Sequence, residues 1–319
     1  MSHTIRVGAA AFIVACGLSS PVSALTFNFS TIQGDTLTAA QSAAFVTAGQ
    51  AWSSAFSDPV TVSVGIGFTS LGSGVLAQTT ANFVTVSGAQ TLTALTADAK
   101  SANDTLAVAS FATQPPAGQI ALSTAQARAL GLATSGGDGS IQFSNSFIFA
   151  TSRNSDGTIA SNSFDLIGVA EHEIAHLLGF DSSIDGISAT GAPTLLDEFR
   201  FTGANARTAV PGAAYFSLND GISAVLDPLG NPANFSPGGA GQYQASHWAP
   251  GVSGIMVPAY SPGVVINATA LDKTALDALG YDPVTAVSPI PTPTPVPEPG
   301  SLAVVLLALA SLTMWRRTN

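Results

Sequence analysis

The chain is poor in cysteine, in basic residues and in histidine. Its 319 residues include one cysteine, Cys16. A single thiol excludes any internal disulfide, so the fold has to be held by its core. Lysine and arginine number 9 against 19 acidic residues, and Arg128, Arg153, Arg200 and Arg207 are scattered. That excludes a cationic face for nucleic acid or an anionic membrane. Only 4 histidines occur, and His3 stands in a segment that reads as a leader. The body is left with His172, His176 and His247.

Both ends read as addresses rather than as fold. Residues 1–24 hold Arg6, an apolar stretch from Val7 to Ala15, and Val22-Ser23-Ala24. That is the layout of a secretory signal peptide with a small-x-small cleavage site. A buried N-terminal helix and a lipid attachment at Cys16 are the alternatives. At the other end a Pro/Thr-rich linker, 284–298, is stiff and extended in character. Pro297-Glu298-Pro299, the apolar run 302–314, Trp315 and Arg316-Arg317 follow. That run is short for a stable span of about 20 residues. The order of these features resembles the PEP-CTERM sorting signal of Gram-negative bacteria. The resemblance implies transient membrane anchoring through 302–314 and handling of 299–319 by an exosortase-type enzyme. A plain C-terminal anchor is the alternative, and either places the body outside the cell. With Arg6, Arg316, Arg317 and Glu298 set aside, 6 cations of the 9 face 18 carboxylates of the 19, a net charge of −12 for the body.

Between the ends, 25–283 is long enough for one large domain or two lobes around a cleft. Alternation predicts strands at 25–30, 58–68 and 139–151. Helical spacing predicts helices over 36–56, 91–111 and 123–132, then a helix ending at Gly179. From residue 181, Gly, Pro, Asn and Ser become frequent, with a short strand at 214–220 and a last helix at 267–281. The expected fold class is α+β: a twisted mixed sheet backed by helices (25–180), then a loop-rich C-terminal lobe (181–283).

The chemistry concentrates in "FDLIGVAEHEIAHLLGFDSS", 164–183. His172 and His176 share one face of a helix and can hold one ion from the same side. Glu173 lies one turn back from His176 and reaches a water there without displacing either ligand. This H-E-x-x-H pattern points to Zn2+ and to hydrolysis. Leu166, Ile167, Ala170, Ile174, Leu177 and Leu178 give the helix a buried side, Ser163 or Asp165 a cap, and Gly179 a left-handed end. Glu171 reads as a solvated residue. A catalytic zinc takes three protein ligands, and four residues compete for third place. Ser182 stands at the short-spacing position but is a poor ligand, and Asp181 is one residue out of step. Glu198 suits a thermolysin-like arrangement. His247 is the remaining imidazole, with Met256 nine residues on in a Gly/Pro-rich turn.

"HEIAHLLGF", a long insertion, "SHW" and "GIMVP" together resemble the leishmanolysin-like branch of the metzincin zinc proteases. The resemblance covers 164–282 and implies metal ligands His172, His176 and His247, a Met-turn at Met256, and Glu173 as catalytic base. It implies a secreted or cell-surface zinc metalloendopeptidase acting on a peptide or protein substrate. A substrate strand would add to the segment 140–150. With no cysteine beyond Cys16 of the expected leader, a thiolate-blocked zymogen is excluded, and the disulfides of eukaryotic members are missing. Tyr260 reads as packing, and Asp181 and Asp185 as supports for a ligand or loop carboxylates. The rival reading is a non-catalytic extracellular matrix or surface protein with a structural or decayed zinc site.

Overall fold

The computed structural model of the protein describes residues 24–185, 191–240 and 242–284. The expected signal peptide, save Ala24, and the linker and sorting segment beyond Val284 lie outside them. The chain divides into two units, Met1–Val284 and Thr285–Asn319, and the described residues all belong to the first.

Strand β1 (Thr26–Thr31) leads into helix α1 (Ala39–Ser53), which a Thr38–Gln41 capping box starts. Ala44, Phe45, Ala48 and Trp52 recur on its buried side. In β2 (Thr61–Thr69), Val62, Val64 and Ile66 face the core in strict alternation. Two strands absent from the sequence expectation follow, β3 (Ala77–Ala81) and β4 (Phe83–Ser87). The single helix expected over 91–111 is two: α2 (Gly88–Asp98) and α3 (Ala102–Thr113). Ser101 and Asp104 restart the helix reciprocally. Asp104 N–H donates to Ser101 Oγ (2.9 Å), and Ser101 N–H donates to the Asp104 carboxylate (2.7 Å). This capping box is legible as Ser-x-x-Asp inside an otherwise periodic stretch.

Strand β5 (Gln119–Ser123) pairs with β4, and α4 (Thr124–Ala129) follows. The expected strand 139–151 is also two pieces. Strand β6 (Gly139–Ser144) ends at a turn, and β7 (Phe149–Ala150) pairs in parallel with β8 (Phe164–Asp165). Helix α5 (Leu166–Leu177) carries the histidine motif. The second half holds a small antiparallel sheet of β9 (Arg200–Gly203), β10 (Ala206–Arg207), β11 (Ala214–Phe216) and β12 (Asn234–Phe235), then α6 (Ala270–Ala278).

The main sheet has the order β1-β2-β6-β3. Strands β1, β2 and β6 are parallel, and β3 runs antiparallel to β6. The mixed α+β class is therefore present. One expectation is corrected: β6 is flanked by β2 and β3, so its backbone groups are already paired. The free edge belongs to β3, which pairs with β6 alone among the described strands. Helices α1 and α5 pack against each other, α1 beside β1 and α5 across β3 and β6. Trp52 closes that interface by donating its indole N–H to the Glu171 carbonyl (3.0 Å). In the second half Phe180, Phe216, Phe235 and Trp248 form one aromatic cluster.

Gly179 ends α5 in the left-handed conformation, φ 101°. Gly179 N–H bonds to His176 O and Phe180 N–H to Ala175 O, both at 3.0 Å, the two bonds of a Schellman turn. A Cβ at this position would meet the Gln126 side chain at 2.8 Å. Gly179→Ala should therefore cost about 1–2 kcal/mol from the backbone alone. In a domain of this size that lowers Tm by several degrees. Calorimetry of the variant checks it, and an unchanged Tm refutes the left-handed requirement.

Candidate metal centre

Every residue of α5 from Leu166 to Leu177 is buried, including the polar ones. The helix is thus enclosed, not amphipathic, and the solvated role expected for Glu171 is corrected. Its carboxylate accepts the Ala268 N–H at 3.2 Å, and burial pushes its pKa up to about 7. Asp165 occupies the N-cap position but makes no side-chain cap. Its carboxylate instead pairs with Arg153 (2.7 Å) and accepts the Ile266 N–H (3.2 Å), fastening the helix start to the chain before α6.

His172, His176 and His247 come together, the one cluster of metal-ligating side chains found among the described residues. His172 Nε2 lies 3.2 Å from His176 Nε2 and 3.3 Å from His247 Nε2. Two ligands about 2.0–2.1 Å from a tetrahedral zinc stand about 3.3–3.4 Å apart, so the donors fit such an ion. The tautomers agree. His176 Nδ1 donates to Phe180 O at 2.7 Å, and His172 Nδ1 to Ile255 O at 2.8 Å. Carbonyls only accept, so both rings spend their proton there and leave Nε2 as a bare lone pair. The Gln244 backbone weakly favours the protonated form of His247 without a formed hydrogen bond to Nδ1. None of the three rings is held as a cation. Burial pulls His172 down to about 4. Burial, then the charge of His172, pulls His176 to about 3. His247 falls well below its ordinary range for the same reasons.

Glu173 is buried beside this cluster. Thr79 of β3 donates its hydroxyl to Glu173 Oε2 (2.7 Å) and lies 3.0 Å from Glu173 O. Burial raises the carboxyl to about 7 against the pull of that hydroxyl. A carboxylate poised near neutrality can both take and return a proton.

The other candidates for third ligand are engaged elsewhere or stand outside the cluster. Ser182 Oγ donates to Asp197 Oδ1 (2.6 Å). Glu198, in a short 3₁₀ helix, pairs with Arg207 at 2.6 Å. Asp181 lines the cavity beside the histidines but is not one of the three clustered residues. The Asp185 side chain lies outside the described residues. Tyr260, expected as packing, has its hydroxyl 2.9 Å from His172 Nδ1 and donates to Ile255 O. It braces the face of the ring opposite the lone-pair side.

Sequence reasoning missed Thr79 and Asp272. Asp272, in the first turn of α6, accepts Trp248 Nε1–H and Ile255 N–H, each at 2.8 Å, and Met256 N–H at 3.4 Å. One carboxylate thus fixes the neighbour of His247 and the peptide whose carbonyl orients His172. Thr269-x-x-Asp272 was readable as a capping box, and Asp272 accepts the Thr269 N–H at 2.8 Å. Nothing local announced the second role. Met256 is fully buried, and its carbonyl accepts Trp248 N–H at 2.8 Å.

The histidines and Glu173 floor a cleft with two connected cavities of about 400 and 510 Å³. Val75, Ala77, Gln78 and Thr79, at and before the free edge of β3, form one wall, and Gln244, Ser246 and His247 form the other. No protein-family model, curated protein or solved structure matches the chain.

Asp272→Asn should weaken metal binding by about 10–100-fold, as loss of a support behind a ligand does. Competition with a chelator checks this, and unchanged affinity refutes the coupling. The histidine pKa values also give a pH dependence. They are depressed on folding, so stability from uncharged rings is present above pH 6.5 and is lost as pH falls toward 4 and 3. Protons compete with an ion over the same window. Equilibrium dialysis should find metal still bound at about pH 5, and release centred near the free-histidine value of about 6.5 would refute it.

Proposed function

We propose that the protein is an exported zinc-dependent metalloendopeptidase of the metzincin kind. The observation that carries this reading is the convergence of three Nε2 atoms beside a buried Glu173, on a cleft edged by a strand with one free side. His172, His176 and His247 would hold the ion. Zinc bound there supplies a Lewis acid that polarises a carbonyl and brings the pKa of water near 7.

The chain's own residues account for the remaining work. Strand β3 presents backbone N–H and C=O groups that an extended peptide can complete by strand addition, so its scissile carbonyl lies over the histidines. Glu173, reached by the Thr79 hydroxyl at Oε2, takes the proton from the attacking water and passes it to the leaving amine. The walls of the cleft limit bulk water, which strengthens each of these interactions. Gly179 as helix terminator, Met256 in the turn after His247, and α6 closing the body agree with the metzincin arrangement. The leader 1–24 and the tail 299–319 fit export and handling by an exosortase-type enzyme.

Glu173→Gln should keep one zinc per chain and lose about 10²–10⁴-fold in turnover of a casein-type substrate. His247→Ala should lose zinc, whereas Glu198→Ala should retain it and lose stability through the stranded Arg207. Proteolysis of the parent, with and without chelator, and metal analysis of the three variants check this. One zinc per chain without proteolysis in the parent favours the non-catalytic surface protein. Zinc loss in Glu198→Ala alone favours a thermolysin-like site.

A further inference from the structure

Five aspartates gather where the end of the described body meets its first helices. Asp58 stands in the loop before β2, Asp98 ends α2, Asp104 lies in the first turn of α3, Asp277 belongs to α6, and Asp282 follows it. All but Asp98 are buried. The Asp282 N–H donates to Asp58 Oδ2 at 3.0 Å. Ser101 joins two others, its N–H donating to Asp104 (2.7 Å) and its hydroxyl to Asp277 (2.8 Å). Lys100, paired with Asp282, is the one cation in contact with the cluster.

The cluster overlies a seam between distant segments. Ser57 N–H donates to Asp282 O and Val284 N–H to Ala55 O, both at 2.8 Å. Phe56 bridges to Pro283, and its ring lies 5.7 Å from that of Tyr281. Asp58 is 1% exposed, yet its Oδ1 takes no hydrogen bond within the protein, and neither does Asp282 Oδ1 or the Tyr281 hydroxyl. A buried carboxylate oxygen without a donor favours the protonated form. Burial, then the Asp282 charge, pushes Asp58 and Asp98 each up to about 7. Burial takes Asp277 to about 6. The neighbouring elements offer little compensation. Helix α1 and strand β2 carry no titratable residue. Asp138 and Arg128, which act on Tyr281, pair with each other, and Lys273 of α6 acts on Glu171.

We propose that this junction is a proton-operated clamp, which holds residues 281–284 against 55–58 while its carboxylates are protonated and loosens as they ionise. The clamp is independent of the zinc reading. A carboxyl raised on folding stabilises the closed form fully below its ordinary value of 3.8, and that stabilisation is lost as pH rises through about 6 to 7. The three histidines stay uncharged across that window, so the metal centre does not set it.

Hydrogen exchange of the full chain, read by mass spectrometry at about pH 5.5 and about pH 8.5 and corrected for intrinsic rates, tests the clamp. Protection over 55–60 and 279–284 should fall at least about tenfold between the two, while the β2–β6 ladder keeps its own. Asp58→Asn carries no charge and still accepts the Asp282 N–H, so it should keep most of that protection at the higher pH. Protection that does not change with pH in the parent overturns the clamp without any variant. An equal loss in the β2–β6 ladder overturns it as a local device. A fall undiminished in Asp58→Asn overturns Asp58 as the group that titrates. Protection restored at the higher pH by calcium ions assigns the cluster to a divalent cation and overturns the proton as its occupant.

Discussion

Three imidazole Nε2 atoms face one another, and the rest of the structure is arranged to hold them there. Neutral rings this close present nitrogen lone pairs that a cation between them would satisfy. Protons are a poor substitute, because burial drives all three rings toward the neutral form. The strain is resisted from behind the rings. Phe180 O and Ile255 O hold the Nδ1 protons of His176 and His172. Each carbonyl is set in turn by a further device: the left-handed turn at Gly179 for the first, the Asp272 carboxylate for the second. Site geometry and fold are therefore one problem.

With no disulfide available to the described body, buried aspartates serve as its fasteners. Asp197 accepts N–H groups from Ser183 and Thr194, each at 2.9 Å, and hydroxyls from Ser182, Ser183 and Thr194. Asp138 accepts the Ser63 N–H, the Thr124 hydroxyl and the Arg128 guanidinium. Asp272 does the same around Trp248 and the turn at Met256. Hydrogen bonds to an ionised carboxylate contribute about 1.5–3 kcal/mol each, and several on one side chain cross-link segments distant in sequence. Much of the acidic excess is thereby internal architecture. It is not surface charge alone, and composition could not distinguish the two.

What was legible in the sequence follows from how local each signal is. His172, Glu173 and His176 sit on one helix turn, so spacing alone places them together. Gly179 declares its helix end because few other residues adopt that conformation. His247 was favoured as the remaining imidazole and by its turn, and the fold does bring it to the pair. Strand β3 went unread because Ala77–Ala81, which alternates half-buried and exposed residues, has no large apolar residue to mark that alternation. With β3 unread, β6 stood as an edge strand, which the sheet order corrects. Glu171 was misread because helical periodicity reports one buried face, whereas α5 is enclosed on all sides.

The placement of the third histidine carries a final consequence. His172 and His247 are 75 positions apart, and the intervening chain includes the whole small sheet. An ion held by both would close that loop as a covalent cross-link does, removing chain entropy from the unfolded state that grows with loop length. It would also bind the folded form alone, and so stabilise it by mass action. A ligand drawn from the short spacing after Gly179 would add none of this, since His176 and Ser182 already lie on one continuous segment. A ligand at His247 would thus couple the half that carries the main sheet to the half that carries the small one. A body without cysteine would gain from such an ion the kind of long-range tie that no disulfide supplies.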